Sequence, residues 1–252
     1  MSTLESDTCQ NSYARMCVKL HRDWKKIPEN QRKRPIEEEL KKIAEKASIK
    51  MPTIIWGEFG NCFAFPDWQM KLSSHILRQD PDRNFRKTMD SWLHQITSPY
   101  HELRHAEQHL MMLRGFYAER VLVPFFLGDE REGELPHKFS DIEKDLGYRL
   151  DVMAFARNSK AELPNEHEKL QKVREWVTSR LGSGLDQRDG VHRKIQDAMT
   201  ADAFMCAYGS YRQLPMEKDA FEIQIQLKRK ISGQIQEAAG DDALRGMRSL
   251  FD

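Results

Sequence analysis

Apolar side chains recur at helical spacing along most of this chain. The clearest case starts at Leu214-Pro215, after which apolar residues from Met216 to Ile231 fall every three or four positions and share one helix face. Two helices are predicted between residues 12 and 48, with a break at Pro28, because proline cannot continue a helix interior. The same spacing predicts helices over 82–95, 140–157, 165–181 and 188–208.

One stretch has the alternation that is typical of strands. Thr53 to Trp56 is rich in β-forming residues, and Cys62 to Phe65 resumes that character after a turn-like segment. From Trp68 to Ser73 apolar and polar residues alternate, which predicts a half-buried strand, and we expect it at a sheet edge where a peptide could add. The chain is therefore predicted to be α+β and mostly helical, with a small mixed or antiparallel sheet packed on the next helix.

Composition and charge exclude several classes of partner. Lys and Arg total 40 and Asp and Glu total 39, so charge offers no general attraction for nucleic acid or for a membrane surface. No stretch is apolar enough to span a membrane, and the first ten residues lack a signal-peptide pattern, so we expect synthesis in a cytosol. The four cysteines form no C-x-x-C pair and are expected as free thiols, with Cys17 and Cys206 in the core.

Two histidines four residues apart give the strongest chemical signal. Residues 101 to 105 form an H-E-x-x-H motif in a stretch predicted to be helical. His101 and His105 lie about 40° apart around a helix axis, so both imidazoles can reach one zinc ion. Glu102 points to the side, where it can take a proton from a metal-bound water. The sequence therefore predicts a zinc site with Glu102 as the general base.

The helix that carries this motif is predicted to have two different faces. We expect it to begin near Thr97-Ser98-Pro99, with a hydroxyl cap and a proline in the first turn, and to stop at Gly115. One face should lie in the core, and the opposite face, which holds both histidines, should look into a cleft. The core positions are Leu103, Ala106, Leu110 and Leu113, and the cleft positions are His101, His105, Gln108 and Met112.

These residues also carry a family resemblance. The order strand, helix, H-E-L-x-H-A-x-Q and a distant Y-x-x-L-P-x-E-x-D-A at 211–220 resembles zincin metallopeptidases with a glutamate third ligand, the gluzincins. It looks most like the compact bacterial zincins found as toxin or effector domains. We expect an N-terminal helical segment over 1–50, a zincin-like domain over 51–232 with a helical insert at 128–190, and a polar tail over 233–252.

The resemblance implies a role for each matching position. His101 and His105 would bind zinc, Glu102 would be the general base, and Glu217 would be the third ligand. Tyr211 would donate a hydrogen bond to the oxyanion.

The residues themselves leave alternatives open at two of these positions. Asp219 and Glu222 could replace Glu217, or could accept a hydrogen bond from an imidazole N–H. Tyr208 could replace Tyr211.

The thiol of Cys62 lies upstream of the motif, as a zinc ligand does in peptide deformylases, although the glycine-rich signatures of those enzymes are missing. His109 is too far along the helix from His101 to share a metal with it, and we expect it at a cleft edge or on the surface.

Function follows from the motif and the resemblance together. We expect a zinc-dependent metallopeptidase that cleaves a protein or peptide substrate, with no nucleic-acid partner. The toxin resemblance implies a cognate inhibitor, or immunity, protein and delivery to another cell without a signal peptide. Two alternatives remain: a non-catalytic interaction module on a zincin-like scaffold, and a zinc hydrolase acting on a non-protein substrate such as a cell-wall peptide.

Overall fold

The structure, a computed structural model, is mostly helical and contains a small mixed sheet. It describes residues 3–78, 85–121, 147–163, 166–181 and 201–248, with positions 190, 191, 193, 194 and 197. This confirms the predicted α+β class. The segments predicted between residues 122 and 146, and most of 182 to 200, lie outside the described residues.

The strands follow the second helix, and helices make up the rest of the described chain. The elements are α1 (Asp7–Asp23), a 3₁₀ turn (Glu29–Gln31), α2 (Lys33–Lys46), β1 (Thr53–Gly57), β2 (Cys62–Ala64), β3 (Gln69–Ser73), α3 (His75–Arg78), α4 (Phe85–Tyr117), α5 (Leu150–Asn158), a 3₁₀ turn (Lys160–Glu162), α6 (His167–Leu181), α7 (Ala201–Tyr211) and α8 (Pro215–Arg248). The break at Pro28 between α1 and α2 is as predicted. Within the described residues, none of these helices combines the length and apolarity needed to cross a bilayer.

The sheet has the order β1-β3-β2, so β3 is its central strand. β1 runs parallel to β3, with Thr53 beside Gln69 and Gly57 beside Ser73. Met70 and Leu72 of β3 are fully buried, in agreement with the alternation of that segment. The prediction that β3 lies at an edge is wrong, because both of its sides are already paired. A peptide therefore cannot add to β3.

The motif helix begins earlier than the sequence predicts. α4 runs from Phe85 without a break and holds Pro99 in its interior. Thr97 and Ser98 are not caps, since their hydroxyls donate to the carbonyl groups of Leu93 at 2.7 Å and His94 at 2.9 Å, four residues back. A serine or threonine hydroxyl can cap the start of a helix, and inside a helix it can bond to the carbonyl group four residues back. Thr97 and Ser98 are therefore compatible with either place.

Every residue of α4 from 96 to 116 is buried. The four predicted core positions are therefore in the core, but the four predicted cleft positions are enclosed as well. The expected division into a core face and an open face is wrong, because other elements also cover the side of α4 that holds the histidines. His101 and His105 therefore do not lie on an exposed helix face.

Gly115 lies inside the last turn of α4 and allows a close approach of the chain that follows. A Cβ at this position would lie 2.8 Å from Cγ2 of Val121, which is buried. The predicted stop at Gly115 falls two residues short of the end at Tyr117. Here glycine provides space for a neighbouring side chain.

Gly115→Ala is expected to lower the free energy of unfolding by about 1 kcal/mol. Overpacking a core costs about 1–3 kcal/mol, which exceeds the roughly 1 kcal/mol that alanine gains over glycine in a helix. Gly233→Ala in α8 is the matched control, because a Cβ there has no neighbour within 4 Å. The control should gain about 0.5–1 kcal/mol in urea unfolding, and equal shifts in the two variants would contradict the close contact.

The chain divides into two compact units. Unit 1 comprises Met1–Phe63, Gln69–Leu103 and Glu222–Asp252, and unit 2 comprises Ala64–Trp68 and Arg104–Phe221. Within unit 1, the Tyr13 hydroxyl donates to the carbonyl group of Ile96 at 2.8 Å. The boundaries fall inside α4 and α8, each of which is one continuous helix. The sequence-based boundaries near residues 50 and 232 stay predictions, and α8 continues past Ser232 to Arg248.

Two of the four cysteines test the expected core positions. Cys17 of α1 is fully buried, as predicted. Cys206 of α7 is exposed, so its predicted core position is wrong. The next residue, Ala207, is the buried one, because adjacent helix positions point about 100° apart.

Candidate metal centre

Three side chains with metal-binding atoms come together where α4 approaches the start of α8. Ligand atoms of His101, His105 and Glu217 all lie within 4.8 Å of one another. His101 and His105 are one turn apart on α4 and are 6% and 8% exposed. Within the described residues this is the one such group of three or more histidine, cysteine or acidic side chains.

The spacing of these atoms suits a small tetrahedral cation. Nε2 of His105 lies 3.4 Å from Oε2 of Glu217. Two ligand atoms bound to one tetrahedral zinc ion at about 2.0–2.1 Å are separated by about 3.3 Å. The pair therefore already has the separation that zinc requires.

The other ring nitrogen of His105 contacts a buried glutamine. Nδ1 of His105 lies 2.8 Å from Oε1 of Gln108. The amide nitrogen of Gln108 donates to the carbonyl group of Met216 at 3.0 Å and to Oδ2 of Asp219 at 2.8 Å. Gln108, which the sequence placed only on the cleft face, thus connects His105 to the first turn of α8.

Asp219 is held in a buried ion pair. Arg104 donates to it twice, from Nε at 2.7 Å and from Nη2 at 3.2 Å, and also pairs with Glu107. Burial works to raise the pKa of Asp219, but the charge and hydrogen bonds of Arg104, the Gln108 amide and the charge of Lys172 together hold it below its usual value. Asp219 is therefore an ionised partner of Arg104.

The three candidate acids of α8 occupy different surroundings. Glu217 lies in the group with both histidines, and Asp219 lies outside it in the ion pair with Arg104. Glu222 is exposed. Nδ1 of His105 faces Gln108, which in turn donates to Asp219, so Asp219 is not the direct acceptor of that ring nitrogen. The geometry favours Glu217 as the third ligand, and that role stays a prediction.

Glu102 lies buried beside the motif histidines, within electrostatic range of Cys62. Burial and the negative charge of Glu102 raise the pKa of the Cys62 thiol, and Lys71 partly opposes them. Cys62 itself is exposed on β2 and lies outside the ligand group. Its position gives no support to a deformylase-like thiolate ligand.

Tyr211 is the last residue of α7, and its ring stacks on Tyr208 with 6.0 Å between ring centres. It is half-buried. Its role as oxyanion donor stays a prediction, as does the alternative role of Tyr208.

His109 has surroundings that the sequence did not indicate. It is 5% exposed, so the expected cleft-edge or surface position is wrong. Nδ1 of His109 lies 2.5 Å from the hydroxyl of Tyr148, and the ring of Phe65 stacks on the imidazole at 5.1 Å. Burial raises the pKa of Tyr148 above its usual value, against a smaller opposing effect of Arg180. His109 follows His105 by four residues, so helix geometry alone puts the two imidazoles on the same side of α4.

Comparison with models of protein families, with curated proteins and with solved structures finds no match. The assignment of this centre therefore rests on its own geometry. The resemblance to zincins stays an expectation that the sequence motifs carry.

Proposed function

We propose that this protein is a zinc-dependent metallopeptidase. The observation that carries the proposal is the group of His101, His105 and Glu217, in which both histidines are buried. Glu102 lies between these histidines on α4 and is buried as well. Two imidazoles and one carboxylate are the donor set of catalytic zinc sites that keep a fourth position open. The distance of 3.4 Å between Nε2 of His105 and Oε2 of Glu217 is also compatible with a shared zinc ion.

Each side chain has a defined task in peptide hydrolysis. His101, His105 and Glu217 would hold the metal, which when bound acts as a Lewis acid and lowers the pKa of a coordinated water. Glu102 accepts a proton from the attacking water and delivers it to the leaving amine nitrogen. Tyr211 is the proposed donor to the oxyanion. Burial of Glu102 supports its role, because a proton acceptor shielded from bulk water keeps its proton for the substrate.

Metal content tests the proposal most directly. Purified protein is expected to contain about one equivalent of zinc per chain, because the centre offers three ligands to one ion. His101→Ala should lose that zinc, as measured by elemental analysis after gel filtration. His109→Ala is the matched control, since His109 is buried on the same helix but lies outside the ligand group.

The two variants give distinguishable results. Zinc retained by His109→Ala and lost by His101→Ala supports the proposed centre. Wild-type protein without stoichiometric zinc, prepared in the absence of chelators, would favour the non-catalytic interaction module. A zinc protein that cleaves no protein or peptide would favour a non-protein substrate.

A further inference from the structure

Gln108 contacts both His105 and the turn of α8 that carries Glu217. It is completely buried. Its amide oxygen faces Nδ1 of His105, and its amide nitrogen donates to the Met216 carbonyl group and to Asp219. Met216 and Asp219 flank Glu217 in the sequence. Gln108 therefore joins one zinc ligand to the backbone that positions another.

These contacts determine the tautomer of His105. A carbonyl oxygen and an ionised carboxylate can only accept hydrogen bonds, so the end of the Gln108 amide that faces them must be the NH₂ group. The amide oxygen of Gln108 then faces His105 and can only accept a hydrogen bond. Nδ1 of His105 must therefore carry the proton. The lone pair of the neutral imidazole is consequently on Nε2, which is the atom that lies 3.4 Å from Glu217.

The acceptor end of this chain of hydrogen bonds is rigid. Asp219 cannot rotate without breaking both bonds to Arg104, and the guanidinium group of Arg104 also lies over the ring of Trp176 at 5.3 Å. All three groups are held inside unit 2. Gln108 is thus clamped between a fixed carboxylate and the ring that it orients.

We propose that Gln108 is a positioning residue of the metal centre, which holds His105 in the Nδ1–H tautomer and fixes the first turn of α8 so that Glu217 faces His105. The proposal deepens the proposed function and rests on it for the identity of the metal. Groups that orient a metal-binding histidine through its second nitrogen typically change metal affinity about 10- to 100-fold when they are removed.

Gln108→Met tests the proposal, because methionine keeps the length of the side chain and removes its polar atoms. Gln224→Met is the matched control. Gln224 is 2% exposed and also joins α8 to α4, by donating to the His94 carbonyl group and the Thr97 hydroxyl, both at 3.1 Å. Neither of these partners, nor Ser98 at 3.5 Å, is a proposed ligand.

Zinc affinity and ring protonation are the two measurements. In competition with a chromophoric chelator, Gln108→Met should bind zinc about 10- to 100-fold more weakly, whereas Gln224→Met should stay within about twofold of wild type. In metal-free protein, ring ¹⁵N shifts of the neutral form of His105 should show the Nδ1–H tautomer in wild type and a mixture of tautomers in Gln108→Met.

The outcomes separate this proposal from the proposed function. Equal zinc affinity in the two variants, or an Nε2–H tautomer in wild type, overturns the role of Gln108. Wild-type protein that binds no zinc but shows the Nδ1–H tautomer, lost in Gln108→Met, sustains the role of Gln108 and overturns the metallopeptidase. If Gln108→Met does not fold, the wild-type ring shifts still decide the tautomer.

Discussion

Glu102→Gln is expected to keep zinc and to lose about 100- to 10,000-fold of peptide hydrolysis, the range that a positioned general acid–base group contributes. Glutamine has the shape of glutamate but cannot accept a proton from water. The ligand group contains His101, His105 and Glu217 and not Glu102, so metal content should be unchanged. Hydrolysis is measured as turnover of a quenched fluorescent peptide library. Zinc content is measured on the same preparations.

Cys62→Ala is the control for this prediction. The Cys62 thiol lies within electrostatic range of Glu102, yet it has no part in the proposed chemistry. We expect the turnover of Cys62→Ala to stay within about threefold of wild type, since this change removes neither a ligand nor the base. Full turnover in Glu102→Gln would refute its role as base, and loss of zinc from that variant would make Glu102 a ligand.

Arg104→Met should have the largest effect on stability. Arg104 is 1% exposed and pairs with two buried carboxylates, Asp219 and Glu107. Its removal takes the hydrogen-bonded cation away from both acids, while Asp219 keeps the more exposed Lys172 at 3.5 Å. Breaking a buried pair in this way typically costs about 3–5 kcal/mol. The free energy of unfolding in urea, measured on metal-free protein, gives this cost without any contribution from zinc.

An exposed ion pair provides the comparison for Arg104→Met. Arg34 pairs with Glu38 at 2.7 Å on the surface of α2, where water screens both charges. Arg34→Met should therefore leave the unfolding midpoint almost unchanged. A similarly small effect of Arg104→Met would mean that water reaches the ion pair of Asp219.

Local patterns were sufficient for several elements and for the spacing of the histidines. The strands β1 to β3 and the break at Pro28 follow from propensity and alternation within a few residues. His101 and His105 share a side of α4 because helix geometry alone puts them there. The start of α4 was not predictable in this way, since Thr97, Ser98 and Pro99 are equally suited to a first turn and to a helix in which hydroxyls bond backward.

Contacts between distant segments decided the rest. β3 is central because β1 and β2 pair with its two sides. The alternation of apolar and polar residues within one strand does not reveal which strands lie beside it. The polar side of α4 is buried because Arg104 and Gln108 find partners on α8, more than a hundred residues later. Glu217 also lies close to His105 through packing between distant segments. Sequence patterns alone therefore could not separate Glu217 from Asp219 and Glu222 as the candidate third ligand.

The pairing of α1 with α8 affects when the protein can fold. Gln10 bonds to Gln226 at 3.2 Å, 216 residues later, and Lys230 pairs with Asp7. The ribosome therefore synthesises α1 long before α8, and the contacts between these two helices can form only after α8 has been made. Glu217 also emerges late, so a nascent or stalled chain that lacks α8 has the paired histidines without their acidic partner. If the proposed activity is correct, proteolysis would begin only after translation has passed that helix, which spares the polysome that makes the protein.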